Sequence, residues 1–133
     1  MKYEIHQCIA ARLRRLSRIT DSYLRKELAD FNITENQMNI LVVMDKLGRI
    51  EQGTIGKRLV LERSTVSRGV QLLEKKGYIK RDSEYRPEIE LTSEGKELVQ
   101  SFMPYWERFM DTIYDKIGAS GVKQLEELEN KLM

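Results

Sequence analysis

The chain has 133 residues, of which 41% are hydrophobic and 33% are charged, and its formal net charge is +2. This length holds one domain, or a small lobe plus helices that need a partner to cover them, and the apolar fraction excludes a disordered chain. One cysteine and one histidine exclude an internal disulfide and a multi-histidine metal site. The chain has no run of about 18 apolar residues and no signal-peptide core at its N-terminus. We therefore expect a cytoplasmic protein without a membrane segment.

The charge changes sign along the chain. Residues 1–30 carry seven basic and four acidic side chains, residues 51–86 carry nine and five, and residues 87–133 carry five and ten. A basic centre followed by an acidic part is typical of a nucleic-acid-binding lobe joined to a part that does not bind. Ordinary solvated helix faces give the same pattern, so the charge alone favours neither interpretation.

The first two helices are predicted from apolar spacing and from end signals. Apolar residues at steps of three, four and seven predict a long helix from Ile5 to Leu28. Thr34 and Gln37 have the spacing of a capping box, which predicts the start of a second helix, and Gly48 is a plausible end for it.

The next segment has the pattern of a helix-turn-helix. Residues 55–59 predict a helix of two turns, in which Gly56 permits the close approach of a neighbour. A tight turn over residues 60–63 precedes a helix from 64 to 76, which is capped by a hydroxyl or by Glu62 and ends at Gly77.

A β-hairpin is predicted directly after these helices. Residues 78–81 and 88–91 alternate polar with apolar side chains, and a charged tip that includes Arg86 joins them. Thr92 can cap a long apolar helix that bends near Pro104 and ends at Gly118. A short leucine-rich helix follows.

The helix over residues 64–76 carries two opposed faces. At about 100° per residue, Val66, Val70 and Leu73 lie on one side. The opposite side carries hydrogen-bonding residues: Ser64, Arg68, Gln71 and Lys75. Arginine can bind guanine and glutamine can bind adenine through paired hydrogen bonds, while serine and lysine suit phosphates or bases. A recognition helix and a solvated helix both have this composition.

The order of the elements favours the first interpretation. A short helix, a tight turn, an exposed polar helix and a hairpin make a winged helix, whose second helix enters the major groove. An arginine near the hairpin tip can enter a narrow minor groove, so Arg86 is predicted to do this, with a solvated turn residue as the alternative.

Three segments closely resemble the MarR family of multiple-antibiotic-resistance regulators: LERSTVSR at 61–68, LEKKGYI at 73–79 and LTSEG at 91–95. The resemblance spans the whole chain. It implies a mainly α fold with a small β-hairpin wing, with a winged helix-turn-helix DNA-binding lobe over 31–92. Residues 1–30 and 93–133 would form a helical dimerisation region.

The resemblance also implies a function. The chain would act as a transcriptional regulator, most simply a repressor, that binds a pseudo-palindromic operator in double-stranded DNA as an intertwined homodimer. A small aromatic or phenolic effector would release it. No catalytic residue, metal or cofactor is predicted.

Two sets of site residues follow from the pattern and the resemblance together. Those predicted to bind DNA are Arg63, Ser64, Thr65, Ser67, Arg68, Gln71, Lys75, Arg81 and Arg86. Those predicted to form the dimer are Ile5, Ile9, Leu13, Phe109, Ile113, Ile117, Leu125, Leu128 and Leu132. The stripe around Trp106 and Phe109 is more apolar surface than one helical layer hides, although the first helix could cover it within a monomer.

This chain departs from the family pattern at several positions. The hairpin is short, and its nearest match to the usual Asp-x-Arg tip is at residues 84–86, so Arg81 could share or take the role of the tip arginine. Gly69 stands in mid-helix where an apolar side chain is usual, and we expect it to permit close packing against another backbone. Leu72 is apolar where a polar residue is usual, which predicts an extra contact to the wing or to a ligand pocket.

Other functions remain alternatives. A winged helix can bind protein instead of DNA, but that surface would be expected to carry apolar anchors. Cys8 suggests redox sensing, although it lies about half a turn before the redox cysteine of some relatives, where this chain has Ala10. An enzyme is disfavoured because no nucleophile set, phosphate loop or metal cluster is present.

Overall fold

The first helix begins one turn later than the sequence predicted. In the computed structural model, which describes residues 1–82 and 88–133, Ile5–Gln7 form a single 3-10 turn and helix α1 spans Ile9–Glu27. Cys8 separates them with an extended backbone (φ −65°, ψ 108°). The prediction of one helix from Ile5 is therefore wrong in its first turn, because apolar spacing does not report a local backbone break.

Helix α2 spans Glu35–Leu47 and confirms both of its predicted ends. The Gln37 N–H donates to Thr34 Oγ1 (3.1 Å), and the Thr34 N–H donates to Gln37 Oε1 (3.0 Å), which completes the capping box. Gly48 ends the helix at φ 75°, a conformation that glycine adopts without steric cost.

Helices α3 (Gln52–Leu59) and α4 (Arg63–Lys75) form the predicted helix-turn-helix. The N–H groups of Val60 and Leu61 both donate to the carbonyl oxygen of Gly56 and close the turn. A Cβ on Gly56 would lie 3.2 Å from the Leu61 carbonyl oxygen, so the predicted close approach is confirmed.

Two details of these helices differ from the prediction. Helix α3 starts at Gln52, three residues before the predicted start at Ile55. Glu62 occupies the position before α4, but no side-chain cap forms there within the described chain. The extended backbone of Glu62 (φ −65°, ψ 149°) is sufficient to start the helix.

A three-stranded antiparallel sheet follows the helices, with β1 at Ile50–Glu51, β2 at Ile79–Arg81 and β3 at Glu88–Leu91. Strand β3 lies between the other two. The two hairpin strands are confirmed, but β1 was not predicted because two residues carry no periodicity. Residues 83–87, which include the predicted tip arginine Arg86, lie outside the described residues.

Helix α5 spans Ser93–Leu132, with the predicted cap at its start: the Gly95 N–H donates to Thr92 Oγ1 (3.0 Å). Gly118 interrupts it with a non-helical backbone (φ 69°, ψ 175°), at the predicted end of the long helix. Pro104 lies inside the helix.

Two compact units divide the chain. One comprises Phe31–Pro104, and the other comprises Met1–Asp30 with Tyr105–Met133. The helices α2, α3 and α4, the strands β2 and β3 and the first part of α5 form the core of the Phe31–Pro104 unit. Its buried apolar side chains are Met38, Ile40, Leu41, Met44, Ile55, Val66, Val70, Leu73, Ile79, Ile89, Leu91, Val99 and Phe102. By packing, residues 93–104 therefore belong with the winged helix.

Candidate nucleic-acid interface

The inner face of α4 fixes the helix in the winged-helix unit. Val66, Val70 and Leu73 are at most 2% exposed, and α4 packs against both α2 and α3. A Cβ on Gly69 would come within 2.7 Å of the Ile40 side chain. The glycine therefore permits close packing, but against a side chain of α2 and not against a backbone as the sequence suggested.

The outer face of α4 is exposed as helical geometry predicted. Its exposed polar side chains are Arg63, Ser64, Arg68, Gln71 and Lys75. Thr65 and Ser67 are half-buried at the edges of this face, and Leu72 is half exposed. This set of side chains, called the α4 face below, presents donors and acceptors of the kinds that bind base edges and phosphates.

Positive charge surrounds the α4 face. Residues 52–76 contain six basic and two acidic side chains. A cleft of about 450 Å³ opens beside the start of α4, and its lining contains the cations of Lys57 and Arg63 and the carboxylate of Glu51. One of the two acidic side chains of residues 52–76, that of Glu74, is paired with Arg81. The surface is therefore suited to a polyanion.

Arg81 at the end of β2 bridges the wing and the helices. Its Nε donates to Glu74 Oε1 (2.9 Å) and its Nη2 donates to Gln52 Oε1 (2.8 Å). The guanidinium was predicted to contact DNA, and in the structure it is held by α4 and α3. Its contact with DNA stays a prediction.

Arg49, which was not predicted from the sequence, forms ion pairs with carboxylates at the other side of the wing. It pairs with Asp82, with Glu90 (3.3 Å) and more distantly with Glu88 (4.0 Å). The hydrogen bond to Glu90 and the charge of Asp82 raise the pKa of Arg49, and the same hydrogen bond lowers the pKa of Glu90. Glu88 and Glu90 alternate along β3, and alternate residues share one face of a strand. This spacing was the signal in the sequence that could have indicated a shared cationic partner.

The other unit contains an apolar surface where the dimer contacts were predicted. Phe109 and Ile113 are half-buried, while the other predicted dimer residues are exposed: Ile5, Ile9, Leu13, Ile117, Leu125, Leu128 and Leu132. Leu13 and the apolar side chains of the final turns of α5 line a groove of about 410 Å³. Their part in dimerisation stays a prediction.

A smaller cavity of about 210 Å³ lies in the same unit. It is lined by Tyr23, Lys26, Glu27, Phe109 and Thr112. Glu27 also pairs with Arg108 (3.4 Å), and Lys26 contributes an ammonium group to the lining. Two aromatic rings, the Lys26 ammonium group and the hydroxyls of Tyr23 and Thr112 suit a small aromatic acid. The carboxylate of the lining, that of Glu27, is already paired.

Cys8 is exposed just before α1. Among the described residues, no three histidine, cysteine or acidic side chains are grouped as a metal site would need. Across residues 1–82 and 88–133, no helix has the length and apolar character needed to cross a membrane.

Known proteins resemble this chain in sequence and in fold. Residues 31–85 match the model of the MarR family. An uncharacterised HTH-type transcriptional regulator of Bacillus cereus (strain ATCC 10987 / NRS 248) is 25% identical over 96% of this chain and 88% of its own length. BpsR of Bordetella bronchiseptica, whose DNA binding is regulated by 6-hydroxynicotinic acid, matches with a TM-score of 0.86, 17% identity and coverage of 98% and 96%. NadR in complex with 4-hydroxyphenylacetate matches with a TM-score of 0.79, 22% identity and coverage of 93% of both chains.

Proposed function

We propose that the chain is a member of the MarR family of DNA-binding transcriptional regulators, whose model matches residues 31–85, and that it is a repressor that binds a pseudo-palindromic operator as a homodimer. A small aromatic acid releases it from the operator. The winged-helix unit reads the DNA, and the unit formed by residues 1–30 and 105–133 makes the dimer.

The α4 face is the observation that carries the proposal. It combines an arginine, a glutamine and a serine that are exposed on one side of a helix whose other side is fixed in the core. Arg68 and Gln71 have the side chains that recognise guanine and adenine in the major groove, whereas Arg63 and Lys75 are suited to phosphates. A surface that docks protein would be expected to carry apolar or aromatic anchors. Among the exposed residues of α4, only Leu72 (50% exposed) is a large apolar side chain.

The exposed apolar groove supports the homodimer. Leu125, Leu128 and Leu132 are 47–76% exposed, and Ile5 and Ile9 of the N-terminal segment are 84% and 75% exposed. A second copy of this chain would cover both surfaces, because each copy offers the groove and the N-terminal segment together. Two winged helices related by a two-fold axis then read two related half-sites about one helical turn apart.

The cavity around Tyr23 and Phe109 supports an aromatic effector. An aromatic acid placed there stacks between the rings while its carboxylate pairs with Lys26. The ligands of BpsR and NadR are hydroxylated aromatic acids of this class. Such an effector changes DNA affinity if it binds one geometry of the dimer better than the other.

Fluorescence anisotropy with a random duplex at several salt concentrations tests DNA binding. We expect affinity to fall steeply as the salt concentration rises, because Lys and Arg contacts to phosphates release counterions. Affinity that did not depend on salt would contradict the DNA-binding proposal and favour a protein partner. Selection of bound fragments from the native genome then gives the operator and the neighbouring genes.

Sedimentation of a charged variant tests the dimer. The Leu125→Asp and Leu128→Asp pair places carboxylates in the groove and should give a monomer, whereas Lys123→Asp on the opposite side of the same turns should leave a dimer. For the effector, 4-hydroxyphenylacetate should weaken operator binding by the unaltered chain and have less effect on Lys26→Met. Equal effects on both chains would contradict the placement of the carboxylate at Lys26.

A further inference from the structure

Arg81 joins three elements of the winged-helix unit. It stands at the end of β2, and its two hydrogen bonds reach Glu74 in the last turns of α4 and Gln52 in the first turn of α3. The two bonds leave from different nitrogens of one planar guanidinium, so they fix the orientation of the group as well as its position.

The pairing with Glu74 also reduces the attraction of Arg81 for phosphate. The Nε–Oε1 distance of 2.9 Å places a full negative charge against the guanidinium, and both side chains are about one-third exposed. An arginine neutralised in this way contributes less to the field around the α4 face than Arg68 or Lys75, for which the described residues show no ion pair. Its main effect is therefore on geometry.

Arg49 fixes the other side of the wing. It lies just before β1 and pairs with Asp82 after β2 and with Glu90 in β3, while Lys80 also approaches Glu90 (3.7 Å). The ladder of β1 with β3 is only two residues long. These ion pairs thus supplement a short run of backbone hydrogen bonds, and the wing is attached to the lobe on both sides.

We propose that Arg81 is a positioning residue that, through Glu74 and Gln52, sets the wing relative to the recognition helix, with Arg49 holding the opposite side. The inference rests on the proposed DNA-binding function and deepens it: the contact of the wing with the minor groove depends on Glu74, whose carboxylate would repel phosphate. Removing a negative charge beside the DNA would ordinarily raise the affinity for DNA. At Glu74 the affinity falls instead, because the wing loses its position.

The test compares Arg81→Gln, Glu74→Gln and the double variant, with Glu62→Gln as the matched control. Glu62 is an exposed carboxylate next to α4 for which the described residues show no ion pair, so its removal reports the effect of charge alone. We expect Glu62→Gln to raise affinity for every duplex slightly. Glu74→Gln and Arg81→Gln should each lower it roughly two- to tenfold, and the double variant should be no weaker than the weaker single one.

A second measurement separates wing position from general loss of structure. Two duplexes share the same central half-sites but carry either A·T-rich or G·C-rich sequence where the wings would lie, since narrow A·T-rich minor grooves favour inserted cations. Both single variants should lose preference between the two flanks while keeping their preference for the central half-sites. Thermal unfolding identifies any variant that does not fold, and in that case the conservative Glu74→Gln alone decides the outcome.

A different set of affinities would identify Arg81 as a phosphate contact. If Glu74→Gln raises affinity as Glu62→Gln does, and Arg81→Gln lowers the slope of log affinity against log salt by about one, then Arg81 is a phosphate contact and the inference is wrong. An unaltered chain that binds no duplex would instead contradict the proposed function, and this inference with it.

Discussion

Gly69 of α4 faces the δ-methyl group of Ile40 in α2 so closely that a Cβ at position 69 would lie 2.7 Å from it. Ile40 is fully buried, so this contact determines how near α4 lies to α2. The glycine lowers the intrinsic helix propensity of α4 by about 1 kcal/mol relative to alanine, and close packing offsets this cost.

This contact predicts a compensating pair of substitutions. Gly69→Ala alone should destabilise the fold by about 1–2 kcal/mol, because overpacking outweighs the gain in helix propensity. Ile40→Val alone removes the δ-methyl group and should cost about 0.5–1.5 kcal/mol. The double variant should be more stable than the sum of the two single effects, as urea unfolding at one fixed protein concentration would measure. Strict additivity would show that the two positions do not meet.

Gly95 in the first turn of α5 makes a tighter contact. A Cβ there would collide with the backbone carbonyl of Tyr78, which precedes β2 and cannot rotate away as a side chain can. Gly95→Ala should therefore lower the free energy of unfolding by about 2–3 kcal/mol or more. Gly53→Ala in α3 is the control, because its Cβ meets nothing within 4 Å, and it should be neutral or stabilising by up to about 1 kcal/mol. Similar losses in both variants would argue against the contact.

Val60 occupies the left-handed region (φ 53°, ψ 50°) in the turn between α3 and α4. This conformation costs a residue with a Cβ about 1–2 kcal/mol, and Val60 is 75% exposed, so its side chain buries little in return. Val60→Gly should raise the free energy of unfolding by about 0.5–1 kcal/mol after the entropy of glycine is counted. Val60→Ala retains the Cβ and should gain less. A destabilised glycine variant in urea unfolding would contradict the strain.

The pairing of Arg49 with Glu90 predicts a dependence of stability on pH. The hydrogen bond from Arg49 lowers the pKa of Glu90 in the folded chain below its usual value of about 4.3. The stabilisation is therefore complete above that value and is lost as the pH falls through the lowered pKa of the folded state. Urea unfolding should show Arg49→Gln to be less stable than the unaltered chain at pH 7, with the difference shrinking near pH 3. A difference that stayed constant across this range would assign the effect of Arg49 to packing.

Arg68 is predicted to read a base. Arg68→Ala should reduce discrimination between the operator and a variant with one altered base pair by about 1–3 kcal/mol. Arg58→Ala, which removes an exposed cation from the last turn of α3, should weaken binding to all duplexes alike. Anisotropy with matched duplexes measures both effects, and identical behaviour of the two variants would overturn the assignment of Arg68 to base reading.

Local signals in the sequence were sufficient for most elements. The capping box of Thr34 with Gln37, the cap at Thr92 and the glycines at 48 and 118 act within a few residues, so their spacing alone predicts helix ends. The exposed face of α4 follows from the 3.6-residue period, because three apolar residues at suitable steps leave only one direction for Ser64, Arg68 and Gln71.

The features that the sequence did not predict all depend on residues far apart in the chain. Strand β1 exists because Ile50 and Glu51 pair with β3, 37 or more positions later, and two residues have no pattern of their own. Arg49 pairs with Glu90, and Arg81 is drawn to Gln52, by the same long-range folding.

The sequence by itself determined the helix-turn-helix, its outward-facing polar stripe and the alternating strands of the hairpin, because helix and strand periods express burial directly. Only the tertiary structure decided where the charges of the wing are held and why Gly69 stands in α4. A single arginine or a single glycine forms no periodic pattern in the sequence. Its contacts are determined only when elements that are distant in the chain pack together.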